Sequence, residues 1–137
     1  MKAIFSVPAG ALALAVALHA VGATLPQAKT QNGITYISGG IGHDESAAMK
    51  AEAKSYPLSL IFSAGKDNAY LADVKITIKD KSGKKVLNAV SDGPIMLVKV
   101  PAGRYEIAAE RNGKALHRTV QVNHKGDKQV NLHWRRA

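Results

Sequence analysis

The chain has 137 residues, of which 19 are basic and 10 acidic, so its formal net charge is +9. This length allows one domain and excludes a multidomain enzyme. The chain has no cysteine, which excludes disulfides, Cys-ligated zinc, iron–sulfur clusters and a thiol nucleophile, and its 5% aromatic content is too low for a platform that stacks sugars or bases.

The first 23 residues have the pattern of a secretory signal peptide. Lys2 supplies a short positive region, residues 4–21 are almost all apolar, and Val21 and Ala23 are the small residues that precede a cleavage site. We therefore predict cleavage after Ala23 and a periplasmic or secreted protein with no stable membrane span. The alternative is a retained membrane anchor, because the apolar run is just long enough to cross a bilayer.

Export changes what the positive charge implies about partners. Cleavage removes a single charge, on Lys2, and leaves +8. A cytosolic protein with this charge would suggest nucleic acid, whereas an exported one meets lipopolysaccharide, acidic glycans and other proteins. We expect an envelope protein or an anionic glycan or lipopolysaccharide as partner, and no nucleic acid. The alternative is a solvated basic surface with no cognate partner.

The region before residue 58 is predicted to be partly irregular. Residues 24–33 are polar and show no periodicity, which predicts a flexible lead-in. Residues 34–57 predict a short strand, a Gly-rich turn and a helix over 44–55. We expect Asp44 to cap this helix and Glu45 to complement its dipole.

From residue 58 onward, apolar residues recur at every second position, which is the period of half-buried strands. The alternating positions are Leu58, Leu60 and Phe62, then Val74, Ile76 and Ile78, then Tyr105, Ile107 and Ala109, and finally Val130, Leu132 and Trp134. Turn signals such as Asn112-Gly113 separate about seven strands, a spacing typical of sandwiches. We predict a mainly β protein, an antiparallel seven-stranded β-sandwich over residues 58–134 with one short N-terminal helix and a basic tail at 135–137.

Residues 71–110 resemble bacterial carboxypeptidase regulatory-like domains, also described as transthyretin-like (prealbumin-like). The resemblance lies in the strand at 71–78, the D-x-x-G turn at 80–83 and the run 101–109, PAGRYEIAA. It implies a transthyretin-like or Ig-like sandwich in a small exported proteobacterial protein, with a binding or stalk role. A purine-pathway hydrolase on this fold ends in Tyr-Arg-Gly-Ser, whereas residues 133–137 read HWRRA, so that activity is not carried over.

The densest polar group follows the glycines at 39–42. It consists of His43, Asp44 and Glu45. Glycines before a helix can present N–H groups to an anion, and these side chains are possible metal ligands, although neighbours on a turn rarely point at one ion. We keep the three as candidate binding residues. The simpler interpretation is a tight turn with a helix cap.

Four histidines suggest an alternative function, a periplasmic carrier of a metal or small ligand. They are His43, His117, His124 and His133. If the strands that hold His117 and His133 pair, the two side chains would come close enough to bind zinc or copper weakly. The simpler interpretation is exposed strand histidines, and we predict no metal site and no cofactor.

The last hairpin is predicted to be cationic, with Arg104, Arg111, Lys114 and Arg118 as candidate binding residues. A second basic cluster, Lys79, Lys81, Lys84 and Lys85, lies at a turn. Such cations attract anionic partners, but they also prevent edge strands from pairing. No G-x-S-x-G elbow or pair of catalytic acids is recognisable. We therefore predict a non-enzymatic interaction module of the envelope that binds a protein or an anionic polymer.

Overall fold

The computed structural model describes residues 25–136. The predicted signal peptide, residues 1–23, lies outside the described residues, as does Ala137 at the end of the predicted basic tail. Within residues 25–136, no helix is both long and apolar enough to cross a membrane.

The described chain consists of strands and one short helix. In order, the elements are β1 (Lys29–Gln31), β2 (Ile34–Gly39), α1 (His43–Glu52) with a 3₁₀ turn (Ala53–Ser55), β3 (Leu58–Ala64), β4 (Ala69–Tyr70), β5 (Val74–Asp80), β6 (Lys85–Ser91), β7 (Ile95–Lys99), β8 (Gly103–Arg111), β9 (Lys114–Val122) and β10 (Lys128–Trp134). The prediction of a mainly β protein with one short helix is confirmed.

The strands form two sheets that share one apolar core. The first sheet has the order β1-β2-β7-β3-β10, with β4 beside β3, and the second has the order β6-β5-β8-β9. Leu60 and Phe62 of the first sheet belong to the same fully buried cluster as Ile76, Ile78 and Ile107 of the second. The two sheets therefore pack face to face, and burying such side chains contributes about 1.5–3 kcal/mol each.

Helix α1 covers the opposite face of the first sheet. Met49 is its buried residue, and it packs with Ile37, Ile95 and Leu97 of β2 and β7 and with Tyr56. The rest of the helix is polar or alanine, so its position depends mainly on this contact. A short helix lying on another element is what the sequence predicted.

The sandwich over residues 58–134 was predicted to have seven strands, whereas the structure has eight there, β3 to β10, and ten in the described chain. The expected lead-in contains β1, which pairs with β2 through a turn at Asn32 and Gly33, whose φ angles are 52° and 78°. Two positive φ values define the type I′ turn that an Asn-Gly pair favours. β4 is a two-residue strand beside the end of β3.

The prediction of a purely antiparallel sandwich that begins at residue 58 also needs correction. β3 and β10 run parallel, from Leu58 beside Lys128 to Ala64 beside Trp134. β2 pairs with β7 and contributes Ile34 to the shared core. Residues 34–39 are therefore part of the first sheet, and they make β7 an interior strand.

Candidate functional site

The turn between β5 and β6 is organised by one carboxylate. Asp80 Oδ1 accepts hydrogen bonds from Ser82 Oγ at 2.6 Å, Ser82 N at 3.0 Å and Lys84 N at 3.1 Å. These hydrogen bonds hold the pKa of Asp80 below its usual 3.8, and the bond from the Ser82 hydroxyl has the largest effect. Gly83 allows the turn to close because its φ is 87°. The turn therefore has a fixed shape and a carboxylate that is already bonded.

Tyr105 joins this turn to the loop between β7 and β8. It lies directly opposite Asp80 in the pairing of β5 with β8. Its ring is buried, and its hydroxyl donates to the carbonyl oxygen of Pro101 at 2.7 Å. Burial, with the nearby Asp80 carboxylate, raises the pKa of Tyr105 above 10.0. Tyr105 thus fixes the loop at 101–103 beside the Asp80 turn.

A shallow cleft lies between these two segments, and we call it the Asp80 cleft. Its main hollow is about 400 Å³ and is lined by Asp80, Lys81, Ser82, Ala102, Gly103, Arg104, Tyr105 and Gln121. A second hollow of about 370 Å³ shares Asp80, Lys81, Arg104 and Tyr105 and adds Gly83, Glu106 and Thr119. The two hollows form one site at the end of the second sheet.

The Asp80 cleft contains two cations, Lys81 and Arg104, and two carboxylates, Asp80 and Glu106. Lys81 and Arg104 are exposed at its walls. Within residues 25–136, the one ion pair within 4 Å joins Lys29 to Asp92, so neither cleft cation is paired with a carboxylate. Ser82 and Gln121 add neutral hydrogen-bonding groups. Such a cleft can hold an anionic group between its two cations.

A further hollow adjoins the cleft. It is about 280 Å³ and is bordered by Ala102, which also lines the Asp80 cleft, together with Lys54, Tyr56, His124 and Lys125. The Nζ atom of Lys99 lies 5.0 Å from the centre of the Tyr56 ring, a cation–π contact. Ala102 therefore connects the Asp80 cleft to a hollow that adds the cations Lys54 and Lys125, and we call this extension the Tyr56 hollow.

The four predicted cations of the last hairpin do not form one site. Arg104 lies in the Asp80 cleft, whereas Arg111 and Lys114 flank the turn at the other end of the hairpin. Arg104 and Arg111 are about 23 Å apart along β8 at the usual rise of a strand. Arg118 lies midway along β9, opposite Ile107.

The predicted group at the helix start serves the local fold. Glu45 Oε1 accepts hydrogen bonds from Gly40 N at 2.8 Å and Ile41 N at 3.2 Å. The N-cap is Gly42 and Asp44 makes no capping hydrogen bond, so the prediction that Asp44 caps the helix is wrong. His43 and Asp44 are exposed on α1, which packs on the first sheet. They are therefore in a different layer from the Asp80 cleft.

The histidines are also dispersed. β9 belongs to the second sheet and β10 to the first, so the strands that hold His117 and His133 do not pair. His133 Nδ1 is instead 2.9 Å from the hydroxyl of Ser63 on β3. His124 lies in the loop between β9 and β10. Among the described residues, no group of three or more His, Asp or Glu is placed to hold a metal ion.

The sequence analysis assigned Asp80 to a turn and Tyr105 to the start of a strand and did not join them into a site. The signals were present, because the D-x-x-G turn and the PAGRY run supply both walls of the cleft. What was missing was the register of β5 with β8, which brings the two segments together. The contact between Ser63 and His133 depends in the same way on the parallel pairing of β3 with β10.

Comparison with protein families gives one finding. Residues 57–134 match the model of a family described as the Rhizobiales growth-associated tandem repeat domain. The match covers β3 to β10 and includes both segments that form the Asp80 cleft, while β1, β2 and α1 precede it. No curated protein matches the chain.

Proposed function

The chain belongs to the Rhizobiales growth-associated tandem repeat domain family, and on that premise we propose that it is an exported, non-enzymatic module of the cell envelope that binds an anionic polymer at the Asp80 cleft. The polymer class is an acidic glycan or lipopolysaccharide. A family described by tandem repeats suits a binding role, because modules used side by side gain avidity. Export to the periplasm or beyond rests on the N-terminal sequence pattern alone.

The observation that carries the proposal is that Lys81 and Arg104 share one cleft and that neither is within 4 Å of the Asp80 or Glu106 carboxylate. Three hydrogen bonds from its own turn to Oδ1 hold the Asp80 carboxylate in place, and it forms no ion pair within 4 Å with either cation. Arg104 can bind a carboxylate or phosphate through two parallel hydrogen bonds, and Lys81 adds a point charge. Ser82 and Gln121 can bond to the hydroxyl groups of a sugar.

A polymer fits this surface better than a single small anion. The Asp80 cleft and the Tyr56 hollow meet at Ala102, and the second hollow adds Lys54 and Lys125. A chain with charges at regular intervals can therefore occupy both at once. The cleft offers two cations and the carboxylates of Asp80 and Glu106, and its lining residues include no recognisable activated nucleophile, which supports binding rather than catalysis.

The finer description of the fold belongs to the same proposal. We propose a transthyretin-like, carboxypeptidase regulatory-like sandwich made of β3 and β5 to β10, to which β1, β2 and β4 are added. The face-to-face packing of the two sheets and the position of the PAGRY run at a turn support it. Superposition on solved domains of that kind, with matching strand order, is the observation that tests it.

Calorimetric titration of the full chain tests the binding function. We expect polygalacturonate, a linear polycarboxylate, to bind and neutral dextran of the same length not to bind. Lys81→Gln with Arg104→Gln should weaken binding about tenfold, because it removes two charge-assisted contacts. The control is Lys66→Gln with Arg136→Gln, which changes the net charge equally at exposed positions outside the cleft. Equal weakening in both double variants would overturn the proposal, and lipopolysaccharide micelles in a parallel titration identify the preferred polymer.

The alternative, a carrier that binds metal or a small ligand through His43, His117, His124 and His133, stays a prediction. No observation favours it, because these histidines lie on different elements. Equilibrium dialysis against Zn²⁺ and Cu²⁺ tests it directly, and one bound ion per chain would support it.

A further inference from the structure

β9 is an edge strand with open peptide groups. It pairs with β8 on one side and ends the second sheet on the other. Arg111 and Lys114 flank the two-residue Asn112-Gly113 turn and therefore form a hydrogen-bonded pair. Because such pairs alternate along an antiparallel ladder, the intervening residues direct their N–H and C=O groups away from β8. These residues are Ala115, His117, Thr119 and Gln121.

The opposite edge of the same sheet is covered. On β6, the side chain of Gln31 bonds to both backbone groups of Asn88, and Asn32 Nδ2 donates to the carbonyl oxygen of Val86 at 3.3 Å. On β9, one outward group has a side-chain partner within the described chain. It is the carbonyl oxygen of His117, which accepts a hydrogen bond from Arg118 Nη1 at 2.9 Å. The outward N–H groups of β9 thus have no side-chain partner among residues 25–136.

The core-side face of β9 alternates charge with apolar surface. Its residues in order are Lys114, Leu116, Arg118 and Val120. Leu116 packs partly against the shared core and Val120 is buried, while both cations are exposed. A strand added beside β9 would place its own core-side residues next to this row.

We propose that the edge of β9 pairs with an extended acidic segment of a partner protein, in which carboxylates lie beside Lys114 and Arg118 and apolar residues lie beside Leu116 and Val120. Backbone hydrogen bonds to His117 and Thr119 provide the affinity and the alternating side chains provide the specificity, as in other cases of β-strand addition. This surface adjoins the Asp80 cleft, because the side chains of Thr119 and Gln121 line that cleft. It uses the outward peptide groups of β9 and its core-side row of side chains instead, so the inference goes beyond the proposed function.

The charge of Arg118 selects which strands can pair with the edge of β9. In a second copy of this chain, the register that pairs His117 with Thr119 would place Arg118 directly opposite Arg118, and like charges directly opposite each other are destabilising. An acidic segment instead offers a carboxylate to Arg118, which then releases the carbonyl oxygen of His117 for backbone pairing. Charge complementarity therefore favours an acidic strand over self-association.

Hydrogen exchange of the full chain with a defined peptide tests the inference. The probe is the capped nine-residue peptide Thr-Glu-Thr-Val-Thr-Glu-Thr-Val-Thr. The control peptide has Lys in place of both Glu residues. We expect the Glu peptide to slow exchange of the His117 and Thr119 amides at least tenfold, since they become hydrogen-bonded. Unchanged exchange at both amides would overturn the inference.

Variants locate the contact. His117→Pro removes an outward N–H without removing a bond to β8, and it should abolish peptide binding. Arg118→Glu is a second variant that does not alter the backbone, and it should reverse the preference from the Glu to the Lys peptide. Lys81→Gln with Arg104→Gln should bind the Glu peptide as the wild type does.

Three results would overturn the inference. The first is an Arg118→Glu variant that still prefers the Glu peptide. The second is loss of peptide binding in the cleft double variant, which would place the peptide in the Asp80 cleft. The third is self-association of the free chain that His117→Pro abolishes, measured by sedimentation, because the occupant would then be a second copy.

Discussion

The side-chain amide of Gln31 pairs with the backbone of Asn88 as a neighbouring strand would. Gln31 Nε2 donates to the Asn88 carbonyl oxygen at 3.1 Å, and Gln31 Oε1 accepts from the Asn88 N–H at 2.6 Å. Gln31 lies on β1 of the first sheet and Asn88 on β6 of the second. This one side chain therefore closes an edge and ties the two sheets together, so that the protein has one covered and one open edge in its second sheet.

Replacing Gln31 should loosen this junction. We expect Gln31→Ala to lower the free energy of unfolding by about 1–2 kcal/mol, because two hydrogen bonds are lost and their partners stay at an exposed edge. Urea unfolding followed by the fluorescence of Trp134, the one tryptophan and a buried one, measures the change. The control is Gln27→Ala, at an exposed position before β1. Equal stability of the two variants would contradict the assigned role.

Gly93 lies so close to Gly39 that no side chain should fit at position 93. A Cβ atom at Gly93 would collide with the backbone carbonyl group of Gly39, which cannot move without shifting β2. We expect Gly93→Ala to lower the free energy of unfolding by about 3 kcal/mol or more, as overpacking against backbone does. Gly126→Ala is the matched control, because its nearest atom, Asn123 Cβ, is at 3.8 Å. Similar thermal midpoints for the two variants would refute this contact.

Tyr105→Phe should remove the bond to Pro101 without emptying the core. The expected cost is about 1 kcal/mol at neutral pH. The raised pKa of Tyr105 means that its stabilising neutral form is fully present below the unfolded value of 10.0 and is lost as pH rises through the folded pKa. The advantage of the wild type over the variant should therefore shrink above about pH 10, which urea unfolding at several pH values measures. A constant difference would contradict the assignment.

Asp80→Asn should reveal the opposite pH dependence. Since the pKa of Asp80 is lowered in the folded chain, its contribution to stability is present above the unfolded value of 3.8 and is lost as pH falls through the folded pKa. We expect the variant to be less stable than the wild type at neutral pH and the difference to shrink as the pH falls below 3.8, by thermal unfolding across that range. A difference that persists in acid would show that the Ser82 and Lys84 bonds do not depend on the charge.

The strands with regular alternation were predictable from the sequence. Val74, Ile76 and Ile78 are fully buried, and Lys75 between them is exposed, as a period of two requires. β1 was not predictable from alternation, because Lys29–Gln31 is an exposed polar edge held by the Asn-Gly turn and by the side chain of Gln31. Hydrophobic patterning detects burial, and this strand has little.

The candidate site was less predictable than the fold. Lys81 and Arg104 were both recognised as basic positions, but their shared cleft depends on the pairing of Asp80 with Tyr105. That register joins residues from strands that are not consecutive in the chain. Local propensity does not specify which strands become neighbours, so no single stretch of sequence contains the site.

The central claim is that an anionic polymer binds at the Asp80 cleft, and amide chemical shifts measured during a polygalacturonate titration test it most directly. We predict the largest shifts at residues 80–84 and 102–106, in fast exchange and weakened by added salt, since the attraction is between exposed charges. Dextran should cause none. Shifts spread evenly over all exposed lysines, or centred on β9 with residues 80–84 unchanged, would contradict the claim.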